Sequence, residues 1–440
     1  MKGALHMPAE PDGMSTFQLR AVLICLLINM FDGFDVVVAS YTAPVIAGQW
    51  NASPAWIGAF ISASLLGMTA GSLVLAPLAD IVGRRRTIIG GLAVISIGMV
   101  ASGLAQDLTQ LMATRIVTGA GIGLLFASLT TIVVEYASDR HRDLAISFLY
   151  LGYPIGATAG GILTAYYLGI GGGWREVYIA GGLAGGAMIL AVAAWLPESI
   201  AFLAARQPTG ALDRINRTLD RMGRPRLDAL PPPQVQGQSW HRIGALFANG
   251  HWRSTLALWL AFATCMLSLY FLIGWTPTVL IDAGLSTSQG VLGGVVLNAG
   301  GGVGMMILGI LASRHSLKGL IASYFVAGAA GMALFGLLAD ADVRLVLLMA
   351  MIFVMGLFTY GGLVGLYAMA TRVYPSGVRA TGVGWAIGVG RFGSIIGPGL
   401  AGALIGLGWD RASYFALLAV PLVVGSICML FIVASTNELT

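Results

Sequence analysis

The chain is 440 residues long, 57% hydrophobic and only 10% charged, with a formal net charge of +5 at pH 7. Soluble domains carry about 25% charged residues, so this composition excludes a soluble globular protein and identifies a polytopic membrane protein. The small positive balance sits in loops, where it reports topology and gives no support to a nucleic-acid partner.

Stretches apolar and long enough to cross a bilayer, about 20 residues, lie at 21–47, 54–79, 87–105, 110–134, 143–169, 175–197, 254–281, 289–312, 318–338, 344–371, 381–406 and 412–434. These twelve spans give an all-α membrane protein. The one long hydrophilic break, 198–253, divides the chain. The expected organisation is a tail at 1–20, six spans in 21–197, a linker at 198–253, six spans in 254–434 and a tail at 435–440. With both termini cytoplasmic, the inner side carries Lys2, Arg20, Arg84, Arg85, Arg86, Arg140, Arg142, the linker arginines, Arg314, Lys318, Arg372 and Arg379. The outer side then carries Arg175, Arg344 and Arg411, which is a strong positive-inside asymmetry. The first 19 residues are polar, so no cleavable signal is expected and the first span serves as an anchor. Cys25, Cys265 and Cys428 fall inside spans and read as small apolar fillers.

The first span holds two acids, in the run Asp32-Gly33-Phe34-Asp35. Asp32 lies roughly 17 Å into this span, near the middle of a ~30 Å hydrocarbon slab. An ionised Asp there costs at least about 2.5–3.5 kcal/mol, so the pair needs a function. The i, i+3 spacing puts both on one helix face, where they can share a proton or a counter-charge. The next loop reads Asp80-Ile81-Val82-Gly83-Arg84-Arg85-Arg86. Asp80 is suited to cap a helix of the other half near Thr381, and Arg84 to pair with Glu135 at the end of span four, so that together they hold one side shut. Span four contains Arg115 about 8 Å below the outer surface, deep enough to need a partner unless it snorkels. Gly119, Gly121 and Gly123 after it allow close helix approach. The linker holds an amphipathic stretch around 209–222, suited either to anionic headgroups or to a solvated connector, and the run Pro231-Pro232-Pro233.

In the second half, the loop equivalent to 78–86 lacks the acid and has Ser313 near its place. Span eleven carries Arg391 between glycines about 15 Å deep, too far in for easy snorkelling. It must face an acid, with Asp32 and Asp35 the candidates, or an anionic substrate, whose carboxylate a guanidinium binds in a fork. Phe34, Tyr150, Tyr270, Trp275 and Tyr360 supply aromatic surface at depth, and Asn298 is a buried polar group to watch. The halves are faintly self-similar at an offset of 237, which maps Arg142 to Arg379, Gly156 to Gly393 and Gly160 to Gly397.

The loop Asp80–Arg86 and the Arg115–Gly123 helix face resemble signatures of the major facilitator superfamily. With Asp32-Gly33-Phe34-Asp35 and Arg379-Ala380-Thr381-Gly382 leading to Arg391, the chain is similar to that superfamily's aromatic acid:proton symporters. The resemblance implies the major facilitator fold, two six-helix bundles, in a bacterial inner-membrane protein. It implies import of a benzoate-, hydroxybenzoate- or hydroxyphenylpropionate-type acid with protons. Asp32 and Asp35 would couple the proton. Arg391, with Phe34, Tyr150, Tyr270, Trp275, Asn298 and Tyr360, would bind substrate, and Asp80, Gly83, Arg84, Arg115 and Glu135 would gate. No cofactor beyond the coupling proton and no metal is expected; the partners are the bilayer and a small aromatic carboxylate, and the protein is expected to act as a monomer. The alternatives are a proton-driven exporter of drugs or other organic anions, and a symporter of a non-aromatic acid. A membrane enzyme is disfavoured, because no His lies within a span and no nucleophile–base set occurs at depth.

Overall fold

A computed structural model describes residues 13–75, 77–230, 244–247, 252–338, 344–374 and 378–432. Most of the N-terminal tail, the proline run at 231–233 and the C-terminal tail lie outside the described residues. In chain order the helices are α1 (Thr16–Trp50), α2 (Pro54–Ala70, continued by a π turn at Gly71–Leu75), α3 (Leu78–Val82), α4 (Arg84–Gly103), α5 (Leu108–Tyr136), α6 (Arg142–Gly169), α7 (Trp174–Trp195), α8 (Ile200–Arg206) and α9 (Ala211–Met222). They continue with α10 (Trp252–Asp282), α11 (Thr287–Leu311), α12 (Leu317–Leu338), α13 (Leu345–Val373), α14 (Arg379–Gly406) and α15 (Arg411–Phe431). Twelve of them are long and apolar enough to cross a membrane. These helices are apolar on most faces, as expected where lipid and not water surrounds them. Several start on side-chain caps: Asp107 accepts from Gln110 N on α5, and Ser286 with Gln289 forms a reciprocal capping box on α11.

The internal repeat is written into the helix ends. α13 begins and ends 237 residues after α5, and α14 stands at the same offset from α6. Helix crossings repeat as well. A Cβ on Gly67 or Gly71 would lie 2.0 or 2.2 Å from the carbonyl oxygens of Ile116 and Ala120; on Gly300 or Gly304 it would lie 2.1 or 1.9 Å from those of Phe353 and Leu357. Gly156 meets the Met30 carbonyl at 1.8 Å, and Gly393 meets that of Ala263 at 1.9 Å. Small residues thus let backbones touch at corresponding places in both halves. These contacts fix the offset at 233 in the early spans and 237 in the later ones.

The chain packs as two compact units: Met1–Asp35 with Leu66–Gly156 and Arg175–Gly237, and Val36–Leu65 with Ala157–Trp174 and Gln238–Thr440. The division runs through α1, α2 and α6, and not only through the 198–253 linker. The physical reason lies inside the second unit. There the Ser40 hydroxyl donates to the Ile273 carbonyl (2.6 Å) and the Ser62 hydroxyl to that of Ile395 (2.8 Å). Gly58 abuts the Pro398 carbonyl and Gly402 that of Pro54. In this unit α1 and α2 therefore pack on α10 and α14. In the first unit, α9 buries Ala211, Ile215, Leu219 and Met222. Its apolar stripe is used against protein.

Candidate functional site

The run Asp32–Asp35 sits where α1 crosses α6. A Cβ on Gly33 would lie 2.2 Å from the Tyr153 carbonyl oxygen, so only glycine allows this approach. One turn earlier, Asn29 Nδ2 donates to the Leu149 carbonyl at 2.7 Å. Asp32 and Asp35 are both buried. Asp35 meets Arg115 of α5, whose Nη1 donates to Asp35 Oδ1 at 2.7 Å. Arg115 Nη2 donates to the Asp35 carbonyl oxygen at 2.6 Å and approaches Oδ2 at 3.3 Å. Both side chains are 0% exposed. The guanidinium also lies over the Tyr178 ring of α7, 5.5 Å from its centroid. The counter-charge of Asp35 is therefore Arg115, not the Arg391 that sequence reasoning offered, and Arg115 does not snorkel. The sequence gives the two residues separate roles, and the fold joins them. The repeat offsets place Ser268 and Ile352 at the corresponding positions of the second half, so the charge pair belongs to the first half alone.

The loop after α2 is also built from local pairs. Arg84 forms an i, i+4 ion pair with Asp80, and Arg206 Nε donates to the Asp80 carbonyl at 2.9 Å. Arg84 lies near enough to Glu135 to act on it electrostatically. Glu135 itself accepts from the Ser199 hydroxyl (2.8 Å) and faces the Ala201 amide (3.4 Å). The primary partner of Arg84 is thus Asp80, where Glu135 was expected. Gly83 has φ +108°, a left-handed conformation that favours glycine, and a side chain there would strike the Glu198 carboxylate at 2.5 Å. Glu198 was not anticipated: its Oε1 accepts from the backbone amides of Arg85 and Ser199, each at 3.0 Å. Its carbonyl accepts from the Tyr136 hydroxyl at 2.8 Å.

In the second unit, the Tyr360 hydroxyl donates to Asn298 Oδ1 (2.7 Å) and Asn298 Nδ2 donates to the Gly294 carbonyl (2.9 Å). Tyr41 lies close enough to Asn298 to feel its side chain, and its hydroxyl donates to the Ala157 carbonyl at 3.1 Å. Each ring has a glycine seat: a Cβ on Gly301 would strike Tyr360 at 2.4 Å, and one on Gly294 would strike Tyr41 at 2.6 Å. Tyr270 is close enough to interact electrostatically with Tyr360. Arg391, half-buried on α14, lies between Gly390 and Gly393, both pressed on α10.

Other expected site residues are employed elsewhere. The Trp275 indole donates to the Pro398 carbonyl at 3.0 Å and the residue is 2% exposed, so it locks α10 to α14. Phe34 packs against α7 at Gly181. The Tyr150 hydroxyl lies 3.2 Å from Thr130 Oγ1 on an exposed face. The structure therefore gathers Asn298, Tyr360 and Tyr270 in one place and Asp35 with Arg115 in another. The missed partner Tyr178 carried no local signal beyond being aromatic in an apolar run.

Comparison with known proteins places the chain. The Major Facilitator Superfamily profile matches residues 25–348. The gallate transporter of Pseudomonas putida is 32% identical over 95% of this chain and 92% of its own length. The 4-hydroxybenzoate transporter PcaK of Pseudomonas putida is 31% identical over 93% of this chain and 91% of its own. The 3-(3-hydroxy-phenyl)propionate transporter of Escherichia coli K12 is 30% identical over 98% and 97%. Among solved structures, the inward-open xylose transporter XylE from E. coli superposes with a TM-score of 0.73 at 16% identity, covering 96% of this chain and 98% of that one. That likeness concerns the fold alone. The chain belongs to the Major Facilitator Superfamily and is a transporter, not an enzyme.

Proposed function

We propose that the protein imports a small aromatic carboxylic acid together with protons across a bacterial inner membrane, as a monomer with both termini cytoplasmic. The observation that carries this reading is the buried Asp35–Arg115 pair directly beside a second buried acid, Asp32, at mid-depth in α1. Acids at that depth are costly and belong to proton or ion pathways. The aromatic acid class is supported by relatives at 30–32% identity whose names specify gallate, 4-hydroxybenzoate and 3-(3-hydroxyphenyl)propionate.

The pair supports a reading in which the two acids do different work. Arg115 is committed to Asp35 by its side chain and its carbonyl. Protonating Asp35 strips a buried guanidinium of its counter-charge, whereas protonating Asp32 leaves the pair intact. Asp32 is therefore the proton carrier, and Asp35 with Arg115 is the fixed charge beside it. Arg391 anchors the substrate carboxylate, and the Asn298–Tyr360 group reads the polar end of the ring. Asp80, Gly83, Arg84 and Glu135 form the cytoplasmic latch, and contacts such as Ser40–Ile273 close the opposite side during alternating access.

The test is uptake of labelled 4-hydroxybenzoate and gallate into proteoliposomes with an imposed pH gradient. Accumulation against the concentration gradient, collapsed by a protonophore, is expected. Proton-driven efflux would replace this reading with an exporter, and accumulation of a non-aromatic acid alone would replace the substrate class.

A further inference from the structure

Arginines that a topology rule merely requires to be on one side have here been gathered around a cavity. It measures about 310 Å³ and lies where α7 ends and α8 and α9 begin. Arg85 of α4 and Arg214, Arg217 and Arg221 of α9 line it, with Glu198 as the one carboxylate among the lining residues. At i, i+3 and i+7 the three α9 arginines fall on one helix face, opposite the buried Ile215–Leu219 stripe. Trp195 also lines the cavity and is 61% exposed at the last turn of a membrane helix, the interfacial position favoured by tryptophan. The cavity therefore opens at the membrane surface.

Its walls are fixed before any ligand arrives. Glu198 Oε1 accepts two backbone amides, and Ser199 Oγ caps α8 by accepting from Phe202 N at 3.0 Å. Arg85 donates a guanidinium N–H to the Ala193 carbonyl. Arg221 lies 5.6 Å over the Phe17 ring, and Arg217 Nε donates to the Asp213 carbonyl at 3.3 Å. The nearby acid Asp220 is taken by Arg226, with both contacts at 2.8–2.9 Å. Four guanidinium groups against one occupied carboxylate leave a strongly cationic pocket of headgroup size at an interface.

We propose that this cavity is a binding site for the phosphate of an anionic glycerophospholipid, independent of the transported substrate. Arginine forks match phosphate oxygens, Trp195 receives the glycerol and upper acyl region, and the acyl chains run down the exposed face of α7 into the bilayer. The headgroup joins α4, α7 and α9 of the first unit.

The experiment compares the full-length wild type with R214Q/R217Q and with the charge-matched control R314Q/R344Q. Native mass spectrometry after equilibration with phosphatidylglycerol and phosphatidylcholine reads the bound lipid. Wild type and control should retain phosphatidylglycerol selectively. R214Q/R217Q should lose it roughly fivefold for each arginine removed, with phosphatidylcholine unchanged. Thermal unfolding of the wild type should rise with phosphatidylglycerol, not with phosphatidylcholine, and this arm needs no variant. Equal phosphatidylglycerol retention by R214Q/R217Q and the control overturns the site. Equal stabilisation by inorganic phosphate overturns the lipid in favour of a free anion.

Discussion

Arg115 holds Asp35 at 2.7 Å through Nη1 while its Nη2 reaches the carbonyl of the same residue, and neither side chain touches solvent. Removing one partner of such a pair leaves an uncompensated buried charge, which costs about 3–5 kcal/mol. Asp35→Asn and Arg115→Gln should each lower the unfolding temperature markedly. The double variant should recover much of that loss, because it buries neither charge. Strictly additive losses in the purified proteins would show that the pair does not act as a unit.

If Asp32 carries the proton and Asp35 the fixed charge, their substitutions separate kinetically. Asp32→Asn should abolish accumulation driven by a pH gradient yet leave substrate exchange across preloaded vesicles, which needs no net proton movement. Asp35→Asn should lose both. Gradient-driven uptake that survives Asp32→Asn moves the proton elsewhere.

The glycine crossings make a prediction about stability alone. A Cβ on Gly156 meets the Met30 carbonyl oxygen at 1.8 Å, a backbone atom that cannot swing aside. Gly156→Ala should therefore cost about 1–3 kcal/mol by overpacking. Gly186, in α7, has nothing within 4 Å of such a Cβ. Gly186→Ala should be neutral or stabilise by up to about 1 kcal/mol through helix propensity. Thermal unfolding of the two variants in one detergent compares them directly.

The fold was legible because bilayer thickness fixes span length, and twelve helices of that length and apolarity stand where apolar stretches run. The repeat, too, was visible at Gly156 and Gly393, both of which seat a helix on its neighbour. The site was legible in part. Counted from Ala21, Asp35 lies about 21 Å in, hence about 9 Å from the far face of a ~30 Å slab. Arg115 lies at about 8 Å from that face, so depth alone matched them. Arg391, about 15 Å deep, suited Asp32 better, and treating the two acids as one unit hid the difference. Trp275 and Phe34 misled because an aromatic ring in an apolar helix carries no mark of which neighbour it faces. The Asp80–Arg84 pair is an ordinary i, i+4 contact, which carries no mark in sequence to rank it above the more distant Glu135.

The last prediction concerns Asn298, whose Oδ1 accepts the Tyr360 hydroxyl at 2.7 Å in a buried setting. Tyr360→Phe deletes that donor, and an unsatisfied buried acceptor costs about 1–3 kcal/mol. If this group only braces α11 against α13, the cost falls on stability and every substrate is affected alike. If it reads the ring, the freed carbonyl meets substrate directly. Tyr360→Phe should then change KM for 4-hydroxybenzoate and gallate severalfold more than for benzoate, with kcat nearly constant. Asn298→Leu, which removes donor and acceptor together, should flatten the preference among the three acids. Identical KM ratios in wild type and both variants would assign ring recognition to other residues and leave Asn298 a helix brace.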